Sequence, residues 1–143
     1  MSASQFAVLA ARTAEPTVML RRFLALDALV TGVNALAYLV ASGPLARLLG
    51  VGSGLLLELG LVLAVYAGAV GWLTSRGRPA VLPVRAVIEV NLAWAALSCV
   101  ALALWLSPST AGAVWTVSQA AVVAGFAALQ YVALRALSLR STC

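Results

Sequence analysis

Long apolar stretches separated by short polar segments make up most of this chain. Four of the stretches reach ~20 residues, the length at which an α-helix crosses ~30 Å of hydrocarbon. They lie at about 19–41, 55–74, 84–106 and 113–137. The segments between them are rich in Gly, Pro, Ser and Arg, which is typical of turns. The pattern predicts an all-α fold, a four-helix transmembrane bundle with up-down-up-down connectivity.

Residues 1–18 form an N-terminal extension, and residues 19–143 form a single transmembrane domain. The apolar segment Phe6 to Ala11 is too short to span a membrane. Its basic neighbour Arg12 follows it, whereas a signal peptide places the charge first. Two interpretations of this extension are open: an interfacial helix and a disordered tail. The leucines of the connection from Leu45 to Gly54 can lay a short helical turn on the outer membrane surface.

The amino-acid composition indicates that this helical protein is a membrane protein. Of the 143 residues, 64% are hydrophobic and 9% are charged, whereas soluble domains have ~45–50% and ~25%. A soluble core of this size would leave large apolar patches in water. We therefore expect an integral membrane protein of one domain.

The placement of the arginines orients the bundle. All nine basic residues are arginines, and the net charge is +5. Eight of them fall on the side that holds the N-terminus, which places both termini in the cytoplasm by the positive-inside rule. Because they flank apolar spans instead of clustering on one polar segment, no nucleic-acid partner is expected. The eight are Arg12, Arg21, Arg22, Arg76, Arg78, Arg85, Arg135 and Arg140; Arg47 lies on the other side.

One face of the first span is polar. Asp27, Thr31, Asn34 and Tyr38 follow one another at i, i+4, i+7 and i+11, which is a single helix face. An unpaired polar group in hydrocarbon costs several kcal/mol, so this stripe should face partner helices. Two interpretations are open. The stripe either fixes the register of the bundle by hydrogen bonds or lines a cavity that binds or passes a molecule.

Several polar residues of the other spans lie at a depth similar to that of Asp27. Glu89, Gln130, Arg85 and Arg135 can form an inner polar cluster with it, in which either arginine neutralises the carboxylate. Arg85 is also four residues before Glu89 and can pair with it along the helix.

Further candidate site residues lie in the outer half of the bundle, and candidate packing residues lie at the predicted helix contacts. Glu58 lies one turn into the second span and can pair with Arg47, and Gln119 extends the candidate polar cavity along the fourth span. Small residues at four-residue spacing allow helices to approach closely. Those residues are Gly60, Ala64 and Gly68 in the second span and Ala121 and Gly125 in the fourth.

Missing residue types limit the chemistry. The chain has no His and no Lys, and its two cysteines form no CxxC motif. His-ligated haem, the usual zinc sites, His-based acid–base catalysis and Schiff-base chemistry are therefore not expected. We expect no catalytic residues, no metal and no cofactor.

The two halves of the chain share a weak pattern. The first and third spans each begin with Arg, carry an acid about a turn later (Asp27 and Glu89) and then an Asn (Asn34 and Asn91). A parallel 2+2 pseudo-repeat explains this pattern, and chance similarity among spans rich in Ala, Leu and Val explains it equally well.

Short motifs resemble those of known membrane proteins. The first set consists of one motif in the first span and two shorter motifs in the third and fourth: Arg22, Asp27, Thr31, Gly32, Asn34, Ala37 and Tyr38; Asn91, Trp94 and Ser98; and Trp115 and Gln119. It resembles a group of uncharacterised small four-span proteins of GC-rich, actinobacterial-type bacteria, which implies a place in the inner membrane. The second set lies in and just after the second span: Glu58, Gly60, Leu73, Thr74 and Arg76. It more loosely resembles DoxX-like proteins, which implies a link to membrane redox complexes.

The sequence is compatible with three functions. The first is a non-enzymatic module that binds membrane lipid, a second copy of itself or another membrane protein. The second is a small transporter or channel in which Asp27 and its stripe line the site. The third is a DoxX-like subunit of a redox complex. Retention of a specific lipid or quinone after purification would separate them.

Overall fold

A computed structural model describes residues 2–5 and 15–142 of the chain. Beyond a helical turn at residues 3–5, the described elements are α1 (Pro16–Val40), α2 (Ser42–Leu49), α3 (Ser53–Ser75), α4 (Val81–Leu104) and α5 (Thr110–Arg140). The described residues contain no strand. All except α2 are long and apolar enough to cross a membrane. The all-α four-helix bundle predicted from the sequence is therefore confirmed.

The first helix begins earlier than the apolar pattern predicted. Pro16 occupies the first turn of α1, where its missing N–H leaves no hydrogen bond unmade. The N–H of Met19 already bonds to the carbonyl of Glu15 at 3.1 Å. The final residues of the predicted N-terminal extension thus belong to α1. The segment from Phe6 to Ala11 lies outside the described residues.

The connection after α1 is a helix of eight residues, longer than the single turn predicted. Gly50 ends α2 in the left-handed conformation (φ 69°), which favours glycine. Ser109, at the start of α5, donates its N–H to the carbonyl of Leu49 at 3.0 Å. Its hydroxyl donates to the carbonyl of Leu48 at 2.6 Å and accepts the N–H of Gly112 at 3.1 Å. We call this junction of α2 and α5 the clasp.

The clasp leaves no room for side chains at its two glycines. A Cβ at Gly50 would overlap the backbone nitrogen of Ser109, and one at Gly112 would overlap the carbonyl oxygen of Leu49. Backbone meets backbone at both points, so neither contact can be relieved by a side-chain rotation. The clasp therefore fixes the start of α5 against the end of α2.

The spans pack as two pairs. α1 lies along α3, α4 lies along α5, and α1 also packs against α5, whereas α3 and α4 have little contact with each other. A groove consequently remains between α3 and α4. One apolar core, including Leu24, Val70 and Val84, fills the end that carries most of the arginines. We call this the arginine-rich end. A second core, including Ala35 and Leu63, fills the opposite end.

Small residues contribute unequally to these contacts. Gly60 is buried, and a Cβ there would lie 2.9 Å from Cγ of Leu39 in α1. At Gly68 and Gly125 a Cβ would meet no atom within 4 Å. Ala64 and Ala121 are exposed. Of the predicted packing residues, Gly60 thus sits at the close α1–α3 approach, and the other four lie on the outer surface of the bundle.

The outer surface of the spans is apolar. Val65 is 75% exposed and Leu97 is 65% exposed, and many other leucines and valines of α1, α3, α4 and α5 are similarly uncovered. Soluble monomers rarely expose apolar patches of this extent, because such patches aggregate in water. Hydrocarbon solvates them instead. The protein is a small multi-pass integral membrane protein.

Candidate functional site

A closed hydrogen-bond network lies at the centre of the bundle, between the two apolar cores. Its members are Asp27 and Thr31 of α1, Tyr66 of α3, Asn91 of α4 and Gln130 of α5. All four spans therefore contribute at least one side chain. Asp27 and Gln130 are both 0% exposed. We call these five residues the Asp27 network.

The Asp27 carboxylate is the acceptor at the centre of this network. Its Oδ2 atom accepts Nδ2 of Asn91 at 2.7 Å, Nε2 of Gln130 at 2.9 Å and the hydroxyl of Tyr66 at 3.2 Å. Its Oδ1 atom accepts the hydroxyl of Thr31 at 3.3 Å. All four donors are uncharged. Neutral donors, and not an arginine, therefore compensate for the removal of this carboxylate from water.

The remaining polar atoms of the network bond to one another. The single hydrogen of the Tyr66 hydroxyl is shared between Asp27 and the Asn91 amide oxygen, which lies 2.9 Å from the phenol oxygen. Nδ2 of Asn91 also donates to the amide oxygen of Gln130 at 3.5 Å. Within the described residues, no buried side-chain nitrogen or oxygen lacks a partner. A fully satisfied network of this kind holds helices in register.

The stripe predicted on α1 faces the interior. Asp27, Thr31 and Tyr38 are buried, and Asn34 is half-buried. Only the first two belong to the Asp27 network. Tyr38 instead accepts the indole N–H of Trp115 at 2.8 Å, near the opposite end of the bundle.

The predicted inner polar cluster is divided in the structure. Gln130 does join Asp27, but Glu89, Arg85 and Arg135 line a separate cavity between α4 and α5. Residues at a similar depth in the membrane need not lie on helix faces that point toward one another. Residues on an α-helix turn by about 100° each, so Glu89 and Asn91 point to nearly opposite sides of α4. Asn91 faces Asp27, and Glu89 is exposed.

Two members of the Asp27 network were not predicted as partners of Asp27. Asn91 enters the sequence analysis only through the weak repeat between the first and third spans and the motif resemblance, and Tyr66 belongs to no predicted group. The available signal was its type, because a phenol inside an apolar span needs a hydrogen-bond partner. Arg47 and Glu58 are both exposed, on α2 and α3, and their pairing stays a prediction.

Three cavities lie toward the opposite end of the bundle, and the smallest of them borders the Asp27 network. Their volumes are about 60, 270 and 530 Å³. The smallest is bordered by Thr31, Tyr66 and Asn91 of the network. The two larger ones share Tyr38 and Trp115. Asn34 and Gln119 border all three cavities.

The walls of these cavities are apolar apart from a few neutral polar groups. Leu59, Leu63 and Leu97 line the middle cavity, which lies in the groove between α3 and α4. The half-buried amides of Asn34 and Gln119 offer both donors and acceptors. Because the Tyr38 hydroxyl accepts from Trp115, its own hydrogen can still be donated. The arrangement can bind neutral hydrogen-bonding groups inside an apolar site.

The described residues hold no cluster of three or more His, Cys, Asp or Glu side chains that could bind a metal ion. The polar groups around the cavities are instead amides, hydroxyls and two indoles, which are hydrogen-bonding groups. No protein-family model, curated protein or solved structure matches this chain.

Proposed function

We propose that this protein is a non-enzymatic binding module of the bacterial inner membrane. Its ligand is an apolar membrane molecule with a neutral hydrogen-bonding head, such as a quinone or a neutral lipid. The observation that carries this proposal is that Asn34 and Gln119 border all three cavities. These amides are positioned to recognise a carbonyl or hydroxyl wherever the ligand lies.

The groove between α3 and α4 supports this function by giving a route from the membrane. The middle cavity is lined by residues of all four spans, and the two spans at its edge have little contact with each other. A ligand can therefore enter sideways from hydrocarbon without crossing water. Its apolar tail would contact Leu55, Leu59 and Leu97, all of which line this cavity. Ligand sites in helix bundles commonly lie between the helices and are mostly apolar.

The state of Asp27 favours binding over chemistry. Four hydrogen bonds already occupy its carboxylate. A group so engaged is poorly placed to act as an acid or base toward a bound molecule. In this proposal Asp27 holds the spans together, and Asn34 and Gln119 contact the ligand.

Co-purification tests the proposal. The full chain, purified in mild detergent, is extracted with organic solvent, and bound quinones and neutral lipids are identified by mass spectrometry. We expect one such class at near-stoichiometric yield in the wild type and a loss of at least about tenfold in Asn34→Leu/Gln119→Leu, the equivalent of ~1.4 kcal/mol. The control is Ser118→Ala, because Ser118 is exposed on α5 and its hydroxyl bonds to the Val114 carbonyl. Equal retention by the double variant would refute the proposal.

Transport is a second candidate, and the smallest cavity favours it. That cavity has a volume of about 60 Å³ and borders three members of the Asp27 network, enough space for a few waters. If Asp27 lies on a permeation path, Asp27→Asn should abolish flux of protons or small cations into vesicles while the protein stays folded. Unchanged flux, or none in the wild type, would exclude this function. The DoxX-like redox role requires a quinone among the extracted molecules, so the co-purification experiment tests it as well.

A further inference from the structure

The cavity between α4 and α5 at the arginine-rich end lies outside the proposed ligand site. It has a volume of about 540 Å³ and shares no lining residue with the other three cavities. Arg85 of α4 and Arg135 of α5 both line it, so two arginines from different helices border one groove. We propose that this groove binds the headgroup of an anionic phospholipid.

The groove has a charged part and an apolar part, as a phospholipid does. Arg85 lies four residues into α4, near the membrane surface predicted for this end. Leu92, which lines the same cavity, follows seven residues later and is therefore ~10 Å deeper along the helix. Ile88 and Leu134 supply further apolar lining. The charged part of the groove thus meets a headgroup, and the apolar part meets an acyl chain.

The polar groups suit a phosphodiester in particular. A guanidinium presents paired N–H donors that match two phosphate oxygens. Arg135 donates to the Tyr131 hydroxyl at 3.5 Å, which leaves the phenol hydrogen available for a phosphate oxygen. Glu89 also lines the groove, and its carboxylate can accept a headgroup hydroxyl. Two arginines against one glutamate leave one positive charge, which complements a single phosphate and favours an anionic over a zwitterionic lipid.

Arg85 and Arg135 differ from other arginines at the same end because both line one cavity. Arg21 donates its Nε–H to the carbonyl of Thr74 at 3.1 Å, and the guanidinium of Arg76 lies 4.3 Å from the ring centroid of Trp72. The Arg21 contact joins α1 to α3, and the Arg76 contact lies at the C-terminal end of α3. Arg22 and Arg78 are exposed and border none of the four cavities described above. Basic pockets between transmembrane helices on the cytoplasmic side are known to bind anionic headgroups.

Native mass spectrometry of the purified full chain tests this proposal with defined lipids. Phosphatidylglycerol, phosphatidylethanolamine and phosphatidylcholine are titrated separately into delipidated protein. We expect phosphatidylglycerol to bind at one tight site. Arg85→Gln/Arg135→Gln should weaken that binding at least about tenfold, the equivalent of one charge-assisted hydrogen bond.

A matched control removes the same charge from the same end of the bundle. Arg22→Gln/Arg78→Gln should leave phosphatidylglycerol binding within about twofold of the wild type, because neither residue lines the groove. Equal weakening by both double variants would show a general electrostatic effect and overturn the proposal. Equal affinity for phosphatidylethanolamine would overturn the anionic assignment. Circular dichroism and gel filtration of each variant establish that it is folded, and Tyr131→Phe, which keeps both charges, should weaken binding by a smaller factor.

Discussion

The Asp27 network predicts that hydrogen-bond capacity at residue 27, and not its charge, stabilises the bundle. In Asp27→Asn the amide oxygen can take the place of Oδ2 and accept from Asn91 and Gln130. The new amide nitrogen then faces the Thr31 hydroxyl, which can accept as well as donate. We therefore expect the free energy of unfolding of this variant to stay within ~1 kcal/mol of the wild-type value.

Asp27→Leu should behave differently, because leucine keeps the branching of aspartate at Cγ but offers no hydrogen-bond acceptor. Three interhelical hydrogen bonds disappear, together with the bond from Thr31 within α1. At the average of ~0.6 kcal/mol measured for interhelical bonds in membranes, the loss of the three amounts to ~1.8 kcal/mol. The buried amides of Asn91 and Gln130 also lose an acceptor, which raises the expected cost toward ~4 kcal/mol.

Equilibrium unfolding in mixed micelles with increasing sodium dodecyl sulfate, followed by circular dichroism, measures these differences. Glu58→Gln is the control, because Glu58 is exposed on α3, and such a surface change is expected to stay within ~0.5 kcal/mol. Wild-type stability in Asp27→Leu would show that the network contributes nothing. Equal destabilisation of Asp27→Asn and Asp27→Leu would show that the negative charge itself is required.

Three further predictions follow from other parts of the bundle. Reporter fusions after Arg140 and within residues 76–80 should give cytoplasmic signals, and fusions at residues 50–52 should give external ones, because arginines orient the spans; a reversed pattern would contradict this topology. Gly112→Ala should lower stability by more than ~2 kcal/mol, since its Cβ would overlap the Leu49 carbonyl, whereas Gly125→Ala, which meets open space, should not; thermal melting in detergent compares them. Tyr66→Phe should cost ~0.6–1.7 kcal/mol by loss of one interhelical hydrogen bond, and the detergent titration used for Asp27 should show a similar further loss when it is combined with Asp27→Leu, because the Tyr66 hydroxyl also donates to the Asn91 amide oxygen at 2.9 Å.

The sequence predicted the spans and the buried face of α1 because both depend on periodicity within one helix. Twenty apolar residues define a span without reference to its neighbours. The spacing of Asp27, Thr31 and Tyr38 likewise places them on one face, and a polar face in a lipid-exposed span must turn inward. The boundaries at Pro16 and Val40 differed from those predicted because end residues depend on local turn geometry more than on hydropathy.

The partners of Asp27 were harder to predict, because they depend on how each helix is rotated about its axis. Depth alone favoured Arg85 and Arg135, which offer the opposite charge. Packing decides the rotation instead, and the close approach of Gly60 to Leu39 is one contact that fixes it for α3. With α4 oriented so that Asn91 points inward, Arg85 and Glu89 necessarily face the other side. No spacing rule within a single helix contains that information.

The Asp27 network also sets an order of events during synthesis. Tyr66, Asn91 and Gln130 follow Asp27 by 39, 64 and 103 residues. At 5–20 residues per second, the ribosome needs about 5–20 s to extend the chain from Asp27 to Gln130. Throughout that interval the carboxylate has an incomplete set of donors. A chain that ends before the fourth span therefore leaves Asp27 in the membrane without the Gln130 amide, so the last span to be made completes the hydrogen bonding of the first.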